Sequence, residues 1–238
     1  EAMRVARAAL AAKGLALGGF ECFEGLLPTP DAADGLIDDV AALAQAALAE
    51  DLFEPGQPVV VSAGGSAFFD RVGERFNAVH FDRPVIKVLR SGCYLTHDSI
   101  GYAAAYERVV SETSLKLPAG GLEAALEVWA YVQSRPEPGR TILTMGKRDV
   151  SFDAGMPVPL RGFRPAEMQK PEVMPAGHKV VALNDQHCHL ETPTDSSLRP
   201  GDMVAFGIGH PCTTFDKWQM LVLVDEDYRI TEALKTFF

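Results

Sequence analysis

Two hydrophobic patterns take turns along the first hundred residues. Residues 2–13 are Ala-rich with helical spacing of apolar positions, and Gly14 is a helix stop signal. LALGGF (15–20) is an apolar run that predicts a buried strand ending in ECFEG. After the loop LLPTPDAAD, Leu36, Ile37, Val40, Leu43 and Leu48 predict a helix over 34–52 with Asp34 as its N-cap. PVVVSAGGS (58–66) is a β-branched run broken by glycines, the pattern of a parallel strand buried on both faces. A short helix is predicted over 66–75, and PVIKVLRSGCY (84–94) reads as a further strand ending at Gly92. Strand, crossover helix and strand at this spacing imply a parallel sheet or barrel. Three strands cannot close a barrel, which needs about eight, so the remaining strands are expected upstream of Glu1.

From about residue 106 the pattern changes. LEVWAYVQSR, RTILTMGKRDVSF, HKVVALNDQHCHLE, DMVAFGIG and WQMLVLVDEDYRI are strand-like and separated by Pro/Gly-rich turns. Most lie too close together for crossover helices, which predicts a mostly antiparallel β-domain. The expected class is α/β: the second part of a (β/α)8 barrel over 1–105, then the β-domain over 106–238.

Composition narrows the options without naming a function. Apolar residues make up 47% of the 238, and 22 basic against 32 acidic side chains leave a net charge of −10. That balance disfavours nucleic acid and anionic membrane as partners, since both need a basic face. Cys22, Cys93, Cys188 and Cys212 are scattered without a disulfide framework, the usage expected of reduced thiols in a cytoplasmic protein.

Four stretches carry candidate chemistry. SAGGS (62–66) follows a strand and opens a helix, where Gly64 and Gly65 amides suit a phosphate and Ser62 adds a hydroxyl. RSGCY (90–94) repeats the arrangement one strand later, with Arg90, Gly92, Cys93 and Tyr94. Both are also ordinary tight turns. In GIGHPCTTFDKW (207–218), His210 and Cys212 offer an imidazole and a thiol, both good zinc ligands. On an extended backbone, residues i and i+2 face the same side. Spacing alone leaves open a metal pair or a half-buried cysteine beside a surface histidine. DQHCHLE (185–191) is an equal candidate on the same grounds, with His187 and His189 on one strand face and Cys188 on the other. GKRDVSFDAGMP (146–157) concentrates charge that Asx-turns and surface ion pairs would also explain.

Taken in order, VSAGGS, VLRSGCYLTHD, MGKRDVSFDAGMP, DQHCHLE and GIGHPCTTFDKWQMLVLVDED resemble the D-threonine aldolase / D-serine dehydratase family of alanine-racemase-like enzymes, from about Leu15 onward. The resemblance implies a barrel that binds pyridoxal 5'-phosphate, followed by a β-domain that carries a divalent metal. His210 and Cys212 match the family's ligand pair. Cysteine at that position belongs with zinc and the dehydratase branch, whereas aspartate belongs with manganese or magnesium and the aldolase branch. The phosphate would fall to Ser62, Gly64, Gly65, Arg90, Gly92, Cys93 and Tyr94, and His187 would stand near the metal. The expected activity is dehydration and deamination of a D-β-hydroxy amino acid such as D-serine or D-threo-3-hydroxyaspartate, with retro-aldol cleavage as the alternative. Arg148 and Arg161 are candidates for a second substrate carboxylate. The family's Schiff-base lysine lies upstream of the first matching block, so this chain is expected not to form the cofactor imine by itself. Lys87, inside VIKVL, reads instead as a strand residue with an outward amine. That missing lysine also supports a non-catalytic alternative, a stable proteolytic core or a cofactor-binding relic. Relatives of the fold imply a homodimer.

Overall fold

The computed structural model describes residues 1–113 and 121–237. The chain divides into two compact units, Glu1–Gly92 with Ala105–Leu117, and Cys93–Ala104 with Pro118–Phe238. The division falls inside RSGCY, between Gly92 and Cys93.

In the first unit, β1 (Gly19–Glu21), β2 (Val59–Ala63) and β3 (Val85–Leu89) form a parallel sheet in that order. The connections carry helix α2 (Pro30–Ala49) between β1 and β2, and α3 (Phe69–Ala78) between β2 and β3; α1 (Ala2–Ala11) precedes them. β2 is the central strand, and Val59, Val61, Ser62 and Ala63 are all buried on it. Its continuous apolar run is therefore the signature of a strand covered on both faces. Ile37, Val40 and Ala44 from α2 and Val72 and Phe76 from α3 pack with Val61 and Ala63.

Helix α2 starts earlier than the predicted Asp34. Thr29 is the N-cap, its hydroxyl accepting from the Ala32 amide at 3.2 Å, and Pro30 occupies the first turn where no donor is needed. Asp34 and Asp38 are thereby freed to pair with Arg71 and Arg75 of α3. Asp70, at 1% exposure, is neutralised by a two-pronged bond to Arg108 at 2.7 and 3.0 Å. Arg108 lies on α4 (Gly101–Glu112).

The second unit is built on a seven-stranded antiparallel sheet. In chain order its strands are β4 (Glu127–Glu137), β5 (Arg140–Leu143), β6 (Val158–Phe163), β7 (Glu172–Val173), β8 (Lys179–Leu183), β9 (Cys188–Glu191) and β10 (Met203–Gly207). Their spatial order is β7-β6-β10-β4-β5-β9-β8. The core gathers Val128, Ala130 and Val132 from β4, Leu143 from β5, Cys188 and Leu190 from β9, and Val204 and Phe206 from β10. Alternation along β4 follows the two-residue period of a half-covered strand. Strand β10 pairs with β4 on one side and β6 on the other, and four of its five residues are buried. A short helix, α5 (Pro211–Phe215), and a separate hairpin, β11 (Met220–Val224) with β12 (Ile230–Lys235), follow. Among the described residues no helix is long and apolar enough to cross a membrane.

The turn that launches β10 is pinned by an ion pair. Asp202 accepts from Arg164 at 2.8 and 2.9 Å and from the Arg199 amide at 3.0 Å. Burial works to raise the Asp202 pKa, but these donors outweigh it and hold the carboxyl below its ordinary range. A depressed folded pKa stabilises the protein fully above the unfolded value of about 3.9 and loses that contribution as pH falls through the folded pKa. Arg164→Ala should therefore flatten the acid limb of the stability curve. Urea denaturation from pH 7 down to about 2 checks this, and identical slopes in the two proteins would deny Arg164 that role.

Candidate active site

β10 ends where the candidate metal pair begins. After Ile208, which is buried, the chain turns at Gly209 into His210, the N-cap of α5, with Pro211 as the first helical residue. A side chain at Gly209 would meet the Ala154 carbonyl oxygen at 2.6 Å, and one at Gly207 would meet the Ser99 hydroxyl at 2.1 Å. Only glycine permits that approach. His210 and Cys212 therefore sit on a strand-to-helix corner, not on the extended backbone their spacing suggested.

The corner is knitted to the segment 151–153. The His210 amide donates to the Ser151 hydroxyl at 3.2 Å, and the Ser151 amide donates to the Thr214 hydroxyl at 3.1 Å. Asp153 takes the His210 ring at Nδ1, 2.6 Å away, and the Thr213 hydroxyl at 3.1 Å. Burial works to raise the Asp153 pKa, yet the bonds from His210 and Thr213 prevail and keep the carboxyl below its ordinary range. A carboxylate on Nδ1 fixes the tautomer that leaves Nε2 as a lone pair, the usual support of a metal-bound histidine. Asp153 lies in the charged stretch that sequence alone explained by surface pairing; its partnership with His210, 57 residues away, leaves no periodic trace.

Cys212 is exposed, and its Sγ lies 3.8 Å from Cys93 Sγ. Burial, then the neighbouring Cys93, push the Cys212 thiol up from its ordinary pKa. Among the described residues no three His, Cys, Asp or Glu side chains are gathered as a finished metal cage. His210 and Cys212 are donor types that suit a soft divalent ion.

The second His/Cys cluster is divided by the fold. Cys188 is wholly buried in the core, where burial raises its pKa to about 12. His189 bonds Asn184 Oδ1 at 2.5 Å. His187 is exposed in the β8–β9 turn, beside a cavity of about 340 Å³ shared with Lys147, Asn184 and Gln186. The Lys147 and Arg148 amides donate to the Asn184 and Asp185 carbonyls, which docks GKRD on this turn.

In the first unit the glycine turns differ from expectation. The Gly64 and Gly65 amides do not face an open cleft: they donate to Glu24 Oε2 at 3.0 Å and Oε1 at 2.6 Å. Glu24 is fully buried. A side chain on Gly65 would strike Gly25 Cα at 2.3 Å, and one on Gly64 would strike the Arg90 amide at 2.6 Å. The SAGGS turn is thus packed against its neighbours and filled by an internal carboxylate. Sequence reading missed Glu24, whose only signal was an acidic residue just past a predicted strand, in ECFEG. Arg90 bonds Ser62 Oγ at 2.7 Å and the Cys22 carbonyl at 2.8 Å, and pairs with Glu21. Ser62 itself donates to the Val88 carbonyl, so it too is engaged within the sheet. Gly92 has open space around it and fits a ligand turn better. The backbone of Cys93, Tyr94 and Leu95 follows as a single helical turn.

Residues 125–224 match the family described as "Putative serine dehydratase domain". Among curated proteins no sequence matches. D-threonine aldolase from Filomicrobium marinum superposes with a TM-score of 0.67 at 24% identity, over 98% of this chain and 57% of that one. D-threo-3-hydroxyaspartate dehydratase from Delftia sp. HT23 gives 0.58 at 20%, over 94% and 57%. A further structure of that dehydratase is a cysteine-to-alanine mutant in the metal-free form. An Ala racemase-like protein from Idiomarina loihiensis gives 0.57 at 15%, over 91% and 55%. At these identities the likeness shows a shared fold, and this chain spans little more than half the length of each.

Removing Glu24 tests how firmly the glycine turn is filled. Glu24→Ala strands the buried Gly65 donor, at about 1–3 kcal/mol, and the half-buried Gly64 donor, whereas Glu24→Gln keeps one acceptor oxygen and should lose less. Chemical denaturation of the three proteins checks the order. An alanine variant as stable as the parent would mean that the amides do not depend on the carboxylate.

Proposed function

We propose that the protein containing this chain is a metal-assisted lyase that removes the β-hydroxyl of a D-β-hydroxy amino acid. The carrying observation is the corner at 210–212: an imidazole fixed through Nδ1 by Asp153, two residues before an exposed thiol. The domain match over 125–224 and the fold shared with an aldolase and a dehydratase support the same reading.

The metal in this reading is zinc, because an imidazole with a thiol is a soft donor set that magnesium and manganese bind less readily. His210 and Cys212 would hold the ion, with Asp153 fixing the His210 ring through Nδ1. Bound there, the ion supplies Lewis acidity at the substrate's β-oxygen, while pyridoxal 5'-phosphate supplies the electron sink at Cα. The β1–β3 unit belongs in this reading to a (β/α)8 barrel that carries the cofactor. Its phosphate would meet the Gly92 turn; the SAGGS amides, engaged by Glu24, contribute to it only if that carboxylate moves. Breaking the Cα–Cβ bond instead, as an aldolase does, is the second reading, favoured by the superposition on the aldolase.

Incubating the full-length protein with D-threonine separates the two, with 2-oxobutanoate and ammonia expected, and glycine with acetaldehyde overturning the dehydratase reading. His210→Ala should abolish zinc-dependent turnover while the cofactor's absorbance remains. Full activity in that variant would remove the metal from the reaction.

A further inference from the structure

Two thiols of the second unit stand close enough to react with each other. Cys93 begins a single helical turn, Cys212 is the second residue of α5, and their Sγ atoms lie 3.8 Å apart. Both are free thiols, and Cys212 is exposed, so a small oxidant reaches it from solvent while Cys93 waits half-buried beside it. The other two cysteines are placed differently: Cys188 is wholly buried in the core, and Cys22 belongs to the first unit. A disulfide brings its sulfurs to about 2.05 Å, a distance that rotation about the two Cα–Cβ bonds has to close. Both residues stand on short elements, of three and five residues, so no long helix has to shift with them.

We propose that Cys93 and Cys212 form a reversible intramolecular disulfide. The oxidant is a small disulfide of the glutathione class. The exposed Cys212 thiolate attacks it, giving a mixed disulfide and releasing one small thiolate. The Cys93 thiolate then attacks the Cys212 sulfur, which forms the internal bond and releases the second small thiolate. Two protein thiols are oxidised, the small disulfide is reduced to two thiols, and the two protein thiol protons pass to those leaving sulfurs. The raised pKa of Cys212 slows the first attack, but the end state is set by the reduction potential of the pair. The second attack is intramolecular between sulfurs already in contact, which favours it over the return of a small thiol. The bond leaves no thiolate at the 210–212 corner. That consequence rests on the metal reading above, in which Cys212 is a donor; the linkage itself does not.

A peptide map tests the linkage without reference to turnover. Full-length protein, treated with a chelator, is equilibrated with oxidised and reduced glutathione, quenched with acid, alkylated, and digested without reductant. Cys93 and Cys212 are expected in one cross-linked peptide, their thiols lost to alkylation together and recovered together by dithiothreitol. Cys93→Ser should instead hold Cys212 as the glutathione adduct. A parent that ends with glutathione on Cys212 and a free Cys93 overturns the linkage, as does one whose two thiols stay alkylatable at the most oxidising ratio. The consequence is read separately, as turnover before and after oxidation, with a loss of more than about tenfold expected and reversed by reductant. Unchanged turnover in a fully linked sample overturns the need for the Cys212 thiolate and leaves the bond standing. The parent's map decides the linkage even if the variant fails to fold.

Discussion

The geometry of the second unit depends on how closely its central strand can approach its surroundings at the point where it ends. β10 is paired on both sides and buried along almost its whole length, so it cannot turn in open solvent. Gly207 and Gly209 let the chain pass within contact distance of Ser99 and Ala154, and the next residue emerges already committed to a helix start. His210 owes its position to that passage, and Asp153 can reach its ring because the segment 150–154 is pressed against the same corner. A methyl group at either glycine would move the histidine before it altered any chemistry.

Much of the fold was legible in advance, for identifiable reasons. The continuous β-branched run of 58–63 could only be a doubly covered strand, and the alternation in LEVWAYVQ could only be a half-covered one. The start of α2 was misplaced because Asp34 looked like a cap, while Thr29 followed by Pro30 was the stronger signal. In DQHCHLE the spacing put His187 and His189 on one strand face as a candidate ligand pair, with Cys188 on the other. Cys188 is core, His189 is tied to Asn184, and only His187 is left facing a groove.

The site was legible only in part, since the motif supplied His210 and Cys212 but not what surrounds them. Asp153 and Glu24 act through partners 57 and 41 residues away. Periodicity reports which face of an element is buried, and pairings of that range are decided by topology. The glycine turns show the same gap. Sequence identified amides well suited to an anion, and could not foresee that the chain would supply the anion itself.

That internal anion has a thermodynamic consequence. Glu24 and any incoming phosphate are rivals for the same two amides, so their occupancies are linked, and each must weaken the other by an equal factor. The affinity of the turn for an outside anion is thus set less by the glycines than by what else can accommodate Glu24. A new partner for the displaced carboxylate would strengthen anion binding from a distance, without touching the bound group.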